Sequence, residues 1–211
     1  MSRRNRISPF GNIEFSDAKG SFMGNRRILV DAAGQVRKTH AHKNWICCTL
    51  VSKTGKRVTF DAQDHYTPLF FWDEAVALAA GHRPCAECRN ADYKAFKRAF
   101  VAATGDGDDN AVKAGQIDAR LHADRLEGKA KKTFRARLLD LPAACFFALA
   151  DQPDLAYLWH GGRALPWSHH GYGPSLALDP DTTVEVLTPK FTVAILAAGY
   201  APQLHLPPAP N

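Results

Sequence analysis

No apolar run in the 211 residues approaches the ~20 that a membrane-spanning helix needs, so no membrane partner is expected. The opening stretch from Met1 to Phe10 is basic and lacks the apolar centre of a secretory signal, and a cytoplasmic location is expected. Cysteine is sparse. Five are too few for a disulfide scaffold, and in a reducing compartment their thiols are free for metal or chemistry. Acidic residues are outnumbered, 21 against 27 Lys and Arg, for a formal net charge of +6. That surplus suits a nucleic-acid partner, but many unrelated enzymes carry a similar one, so charge alone decides little. What remains is ordinary: 45% hydrophobic and 23% charged residues describe a folded chain and exclude a disordered tail, a collagen and a coiled coil.

Periodicity and breakers set the expected organisation. Residues 1–20 hold no sustained pattern and read as loop-like. From Arg27 onward come short β-branched or aromatic runs, Ile28 to Val30, Trp45 to Val51 and Arg57 to Phe60, with a hairpin turn at Thr54-Gly55. A helix should follow. Asp73 and Glu74 place negative charge in its first turn, Ala75 to Ala80 are mostly strong helix formers, and Gly81 suits the left-handed stop. A second helix is expected from about Ala91, with Tyr93, Phe96, Phe100 and Val101 on one stripe, and Thr104 to Asn110 reads as the linker that ends it. Residues 111–137 read as helical, and the chain from Leu138 leans toward strand. Thr192 to Pro202 echoes Glu74 to Pro84, each closing on Ala-Ala-Gly, then His or Tyr, then x-Pro; duplication or shared helix-stop physics would both produce this.

The strongest motif is Gly81-His-Arg-Pro-Cys85-Ala-Glu-Cys88. A Cys-x-x-Cys turn sets two thiols on one side of a tight bend, as a tetrahedral zinc requires. A redox pair opens a helix after a strand, whereas this one follows a helix and its glycine stop, which favours metal. Cys47-Cys48 offers a further thiol. On a strand only one of the two can face the ion, and alternation alone does not choose between them. The Pro-Cys-x-x-Cys half also matches a nucleobase deaminase, but no upstream triplet supplies the glutamate that such chemistry needs.

Trp45-Ile-Cys-Cys48, Val58-Thr-Phe60 and Asp73 through Arg89 together resemble the Ada-type zinc domain of bacterial alkylation repair, over roughly residues 28–100. The resemblance implies one zinc held by a cysteine after an apolar strand and by the downstream pair, with the first cysteine as the acceptor of a methyl group from a DNA phosphotriester. Cys48, Cys85 and Cys88 are the positions that carry over. The family's second cysteine, four residues on, is replaced by Ser52 (or by Val51, counted from Cys47). His82 or His122 is favoured as the completing ligand, with His40, His42 and His65 behind them. An open fourth position would instead suit a catalytic zinc-bound water.

Two further groups belong to the functional reading. Arg26, Arg27, Arg57, Arg83 and Arg89 flank the zinc segment and suit phosphate contacts. Asp118 and His122 stand four apart on an expected helix, where a carboxylate could orient an imidazole for acid–base work. The aromatic run Tyr66 to Trp72 reads as core. Trp159, Trp167, His169, His170 and Tyr172 line a pocket or fill a small core. The expected fold class is α+β: a small zinc-bearing portion over 1–104, a helical middle over 111–137 and a small β-rich portion over 138–211 with a terminal helix. The expected function is a zinc-binding, DNA-interacting protein serving repair. The alternative is a zinc-dependent hydrolytic enzyme, nuclease- or glycosylase-like, using Asp118 and His122.

Overall fold

The stretch from Asp73 to Gly81 behaves as its residues dictate, and the rest of the chain is arranged around it. In the computed structural model, which describes residues 3–51, 66–105 and 107–207, helix α1 spans Glu74–Ala79 and all six of its residues are buried. A helix apolar on every side has no solvent face and must lie inside the protein. Asp73 caps it, its carboxylate accepting from the Val76 N–H at 3.1 Å. Gly81 ends it at φ 86°. The Gly81 N–H returns to the Leu78 carbonyl and the His82 N–H to the Ala77 carbonyl, both at 2.9 Å, the paired closure of a glycine-stopped helix.

Two six-stranded sheets surround this helix. The first takes β1 (Arg3–Ile7), β2 (Ile13–Ser16), β3 (Phe22–Asn25), β4 (Ile46–Thr49), β5 (Leu69–Phe71) and β6 (Arg83–Pro84), in the spatial order β2-β1-β5-β3-β4-β6. Pairing is antiparallel except β1 with β5 and β4 with β6. A two-stranded ribbon, β7 (Leu126–Glu127) with β8 (Ala130–Lys131), follows in the chain. The second large sheet takes β9 (Phe134–Arg137), β10 (Phe146–Leu149), β11 (Gln152–His160), β12 (Arg163–Ser168), β13 (Gly171–Tyr172) and β14 (Thr183–Val186), antiparallel throughout, in the order β13-β12-β11-β10-β14-β9. Helices α2 (Asn90–Thr104), α3 (Ala114–Arg125) and α4 (Lys190–Ala197) complete the fold. One continuous apolar core reaches from Ile7 to Tyr200 and draws on both large sheets and all four helices.

These findings correct the expected α+β plan of a helical middle between two small portions. Strand accounts for 30% of the chain and helix for 23%, in three sheets, and no continuous helical middle is evident among the described residues. Within 111–137 only Ala114–Arg125 is helical. The chain then reverses about Gly128 at φ 61°, and Phe134–Arg137 pairs with β14, its alternate residues half-buried. The Ala-, Lys- and Arg-rich composition favours helix locally, but helix propensity is a weak preference and sheet pairing overrides it. The opening twenty residues are not loop-like either, since β1 and β2 lie within them. Ile28 to Val30 contributes only a bridge between Val30 and Val36. The hairpin expected at Thr54-Gly55 and the run Arg57 to Phe60 lie outside the described residues.

The internal echo has a local explanation. Gly199 (φ 97°) repeats the closure at Gly81: its N–H reaches the Leu196 carbonyl and the Tyr200 N–H the Ile195 carbonyl. The two stops differ in their surroundings. A Cβ at Gly81 would meet the Arg125 Cδ at 2.6 Å, whereas one at Gly199 would meet nothing within 4 Å. Gly199→Ala is therefore expected to cost about 1 kcal/mol, the left-handed backbone penalty alone, and Gly81→Ala about 2 kcal/mol or more as Arg125 is displaced. Urea unfolding of both variants checks the order, and equal losses would refute the close approach at Gly81.

Candidate metal centre and buried cations

Strand alternation resolves the choice left open by the Cys47-Cys48 pair. On β4, Cys47 points into the main core at 1% exposure, and Cys48 points to the opposite face. The parallel pairing of β4 with β6 sets Cys47 beside Pro84, and the Cys85 N–H donates to the Cys47 carbonyl at 2.9 Å. This register delivers Cys85 to the sheet edge beside Cys48. The turn from Ala86 to Arg89 closes with the Arg89 N–H on the Cys85 carbonyl at 3.1 Å and folds Cys88 back. The sulfurs of Cys48, Cys85 and Cys88 all lie within 4.8 Å of one another. Met23, paired with Cys48 across β3 and β4, forms the apolar floor with Cys48 and Cys85, and Ile46, Leu50, Tyr66 and Phe70 pack around it.

The three thiols could hold a metal ion. Their electrostatics are those of a shared site. Hydrogen bonds from the Cys48 and Cys88 thiols, aided by the backbone N–H groups of Cys88 and Glu87, hold Cys85 far below an ordinary thiol pKa. Cys48, donating in that arrangement and buried, is pushed far upward. A lowered Cys85 pKa favours the thiolate, the form that binds metal. Zinc with Zn–S bonds of about 2.3 Å places tetrahedral sulfurs about 3.8 Å apart, a spacing the cluster reaches with small adjustments. Cys47 is not part of it. Burial raises its pKa, and its sulfur instead accepts from the Arg89 guanidinium at 3.5 Å.

The Cys85-x-x-Cys88 pair does not sit in the context expected of it, directly after a helix and its glycine stop. The pair does follow a short strand, β6, and does stand just before a helix, α2. The feature that separates it from an isolated dithiol is the third thiol, Cys48.

His82 does not complete the site. It lies at 1% exposure on the far side of β6, against Trp45 and Phe71, and its Nε2 accepts from Arg26 Nε at 3.1 Å. The glycine-stop geometry that precedes it turns its ring into the core. His122 is equally remote from the thiols: its Nδ1 meets Arg125 Nη2 at 3.0 Å and its ring packs on His40, 5.3 Å between centroids. Among the described residues, no histidine or carboxylate joins the three cysteines. His65 lies outside the described residues.

The catalytic pair is not assembled. Asp118 gives both carboxylate oxygens to Arg83, each at 2.8 Å, in a buried ion pair, and His122 faces Arg125 instead. Asp118→Ala is expected to cost about 3–5 kcal/mol by stranding a buried guanidinium, while His122→Ala costs no more than about 1 kcal/mol. Chemical denaturation compares them, and a neutral Asp118→Ala would refute the structural role.

The proposed phosphate-contacting arginines also need correction. Arg26, Arg83 and Arg89 are exposed by only 1%, 4% and 3%, so none is available to an external phosphate backbone. Arg89 pairs with Glu74 at 2.7 Å, and Glu74 in turn accepts from Tyr200 Oη at 2.6 Å. Arg27 is exposed, and Arg57 lies outside the described residues. The C-terminal aromatic patch is mostly core, with Trp159 and Trp167 each 8% exposed, and its histidines reach back to the first sheet, His169 to Glu14 at 2.8 Å and His170 to Asp17 at 3.3 Å.

A group that the sequence does not assemble, Arg26 with Arg125 and Lys131, surrounds the end of α1. Arg26 donates to the carbonyls of Ala80, Gly11 and Thr39, Arg125 to those of Gly81 and Lys43, and Lys131 to those of Ala79 and Pro9. The Arg26 and Arg125 guanidinium carbons lie 3.9 and 4.0 Å from the Trp45 ring centroid. Burial, and then mutual repulsion, lowers Lys131 to about 7 and Arg26 to about 9. No sequence signal distinguishes these residues from surface cations.

No family model, no curated protein and no solved structure matches the chain.

The Lys131 shift has a measurable consequence. Its folded-state pKa lies below the ordinary lysine value, so between about pH 7 and about pH 10.4 the unfolded chain binds the extra proton and stability rises with pH. Lys131→Met removes that rise. In phosphate-free buffer, the stability difference between wild type and variant should therefore change across the window, and a difference constant with pH would refute the shift.

Proposed function

We propose that the protein binds zinc through Cys48, Cys85 and Cys88 and interacts with DNA, in keeping with the Ada-type resemblance and with a role in repair. The observation that carries this reading is the convergence of Cys48, from β4, with the Cys85–Cys88 turn beyond α1. Supporting it are the all-sulfur donor set, the thiolate character at Cys85 and the net charge of +6. Three thiolates on one divalent ion leave a net negative centre, which keeps its sulfurs nucleophilic. The hydrolytic alternative is not retained, because Asp118 is committed to Arg83.

The test has two parts. Purified protein should carry about one zinc per chain; Cys48→Ser and Cys85→Ser should lose most of it, while Cys47→Ser, whose sulfur faces the core, retains it. Duplex DNA titrated at two salt concentrations should bind with affinity that falls steeply as salt rises. Metal-free protein, or loss of zinc in Cys47→Ser alone, would overturn the metal reading. DNA affinity independent of salt, or absent, would overturn the partner reading.

A further inference from the structure

Beside the end of α1 is a cavity of about 90 Å³, lined by Arg26, Trp45, Arg125 and Lys131, with Lys129 exposed at its edge. Its three inner cations arrive from separate parts of the chain, just past β3, the last turn of α3, and β8. Their partners are backbone carbonyls and the neutral rings of His82 and His122. Among the described residues none of the three pairs with a carboxylate. The acid nearest to Arg125 in its electrostatic surroundings, Asp118, is held in bidentate fashion by Arg83. The carbonyl end of α1 offers about half a negative charge, well short of two guanidiniums and a partly protonated Lys131. Burial and Arg125 push His122 down to about 4, so its ring adds no further positive charge near neutral pH. Arg125 is 2% exposed, and its Nε is a buried donor with no acceptor.

We propose that this cavity is an anion site for a phosphate group, either free or as the end of a phosphomonoester. Stacking on Trp45 fixes the guanidinium planes, and the buried Arg125 Nε–H, which has no acceptor, is the donor left for an oxyanion. The volume holds several water-sized groups, enough for a tetrahedral oxyanion but not for a base and sugar. Any esterified remainder leaves past Lys129. A dianion answers three cations better than a carboxylate does. No cysteine lines the cavity, so the site stands or falls independently of the zinc reading.

Calorimetric titration of the full chain with inorganic phosphate, at ionic strength held constant by chloride, tests the proposal. Saturable one-to-one binding is expected, with a rise in unfolding temperature that chloride does not produce. Lys131→Met should weaken binding by at least about tenfold. Lys129→Ala, at an exposed position where folding is not at stake, should weaken it about two- to threefold. A nucleoside 5′-monophosphate distinguishes the sources: tighter binding than inorganic phosphate assigns an ester end, and equal or weaker binding assigns the free anion. Wild-type protein that binds neither, or a folded Lys131→Met that keeps full affinity, would overturn the site.

Discussion

A short helix buried on every side must have its ends satisfied from within, and this requirement governs the structure. At the start of α1, Asp73 accepts from Val76 N, from Tyr172 Oη at 2.7 Å and from His205 N, which ties the helix to the second sheet and to the C-terminal segment. Glu74 accepts from Arg89, Tyr200 and the Gln203 N–H, which ties it to α2 and to the stretch after α4. At the other end the carbonyls of Ala79, Ala80 and Gly81 receive Lys131, Arg26 and Arg125. Buried backbone groups without partners are expensive, and here charged side chains from across the chain supply them.

The clustered thiols and the cationic cavity both descend from that arrangement. Gly81 stops the helix, the next residues form β6 against β4, and the register of that pairing sets Cys85 beside Cys48. The same stop turns His82 inward, where it meets Arg26 beneath Trp45. One face of β4 and β6 thus carries the three clustered thiols, and the other carries Cys47, aromatic rings and cations. The two chemistries are separated by the thickness of a sheet, which is why the histidines near the motif in sequence do not reach the thiols in space.

The arginines near the motif have a structural task. Arg83 and Arg89 each neutralise a buried carboxylate, Asp118 and Glu74, and such pairs hold distant elements in register more than they add stability. Arg26 has no such partner, and it is the largest of the fully buried side chains. Sequence position relative to a cysteine motif says nothing about whether a guanidinium faces water or a ring.

Local chemistry was legible in the residues themselves. The negative charge at the start of α1, the alanine-rich run, the stop at Gly81, the stripe of α2 and the break after Thr104 depend on neighbours within a few positions, and each could be read directly, although Asp73 proved to be the cap and not part of the first turn. The turn at Cys85-Ala-Glu-Cys88 that brings two thiols together was legible for the same reason. The choice of Cys48 over Cys47 was not, because both satisfy alternation until a partner strand defines which face is core. Nor was the strand content beyond Arg125, where pairing with β14 outweighs helix-favouring composition. Sequence settled what each segment prefers alone. Tertiary structure decided which charges are buried, which thiols meet and which cations share a cavity, because those outcomes depend on contacts between residues dozens of positions apart.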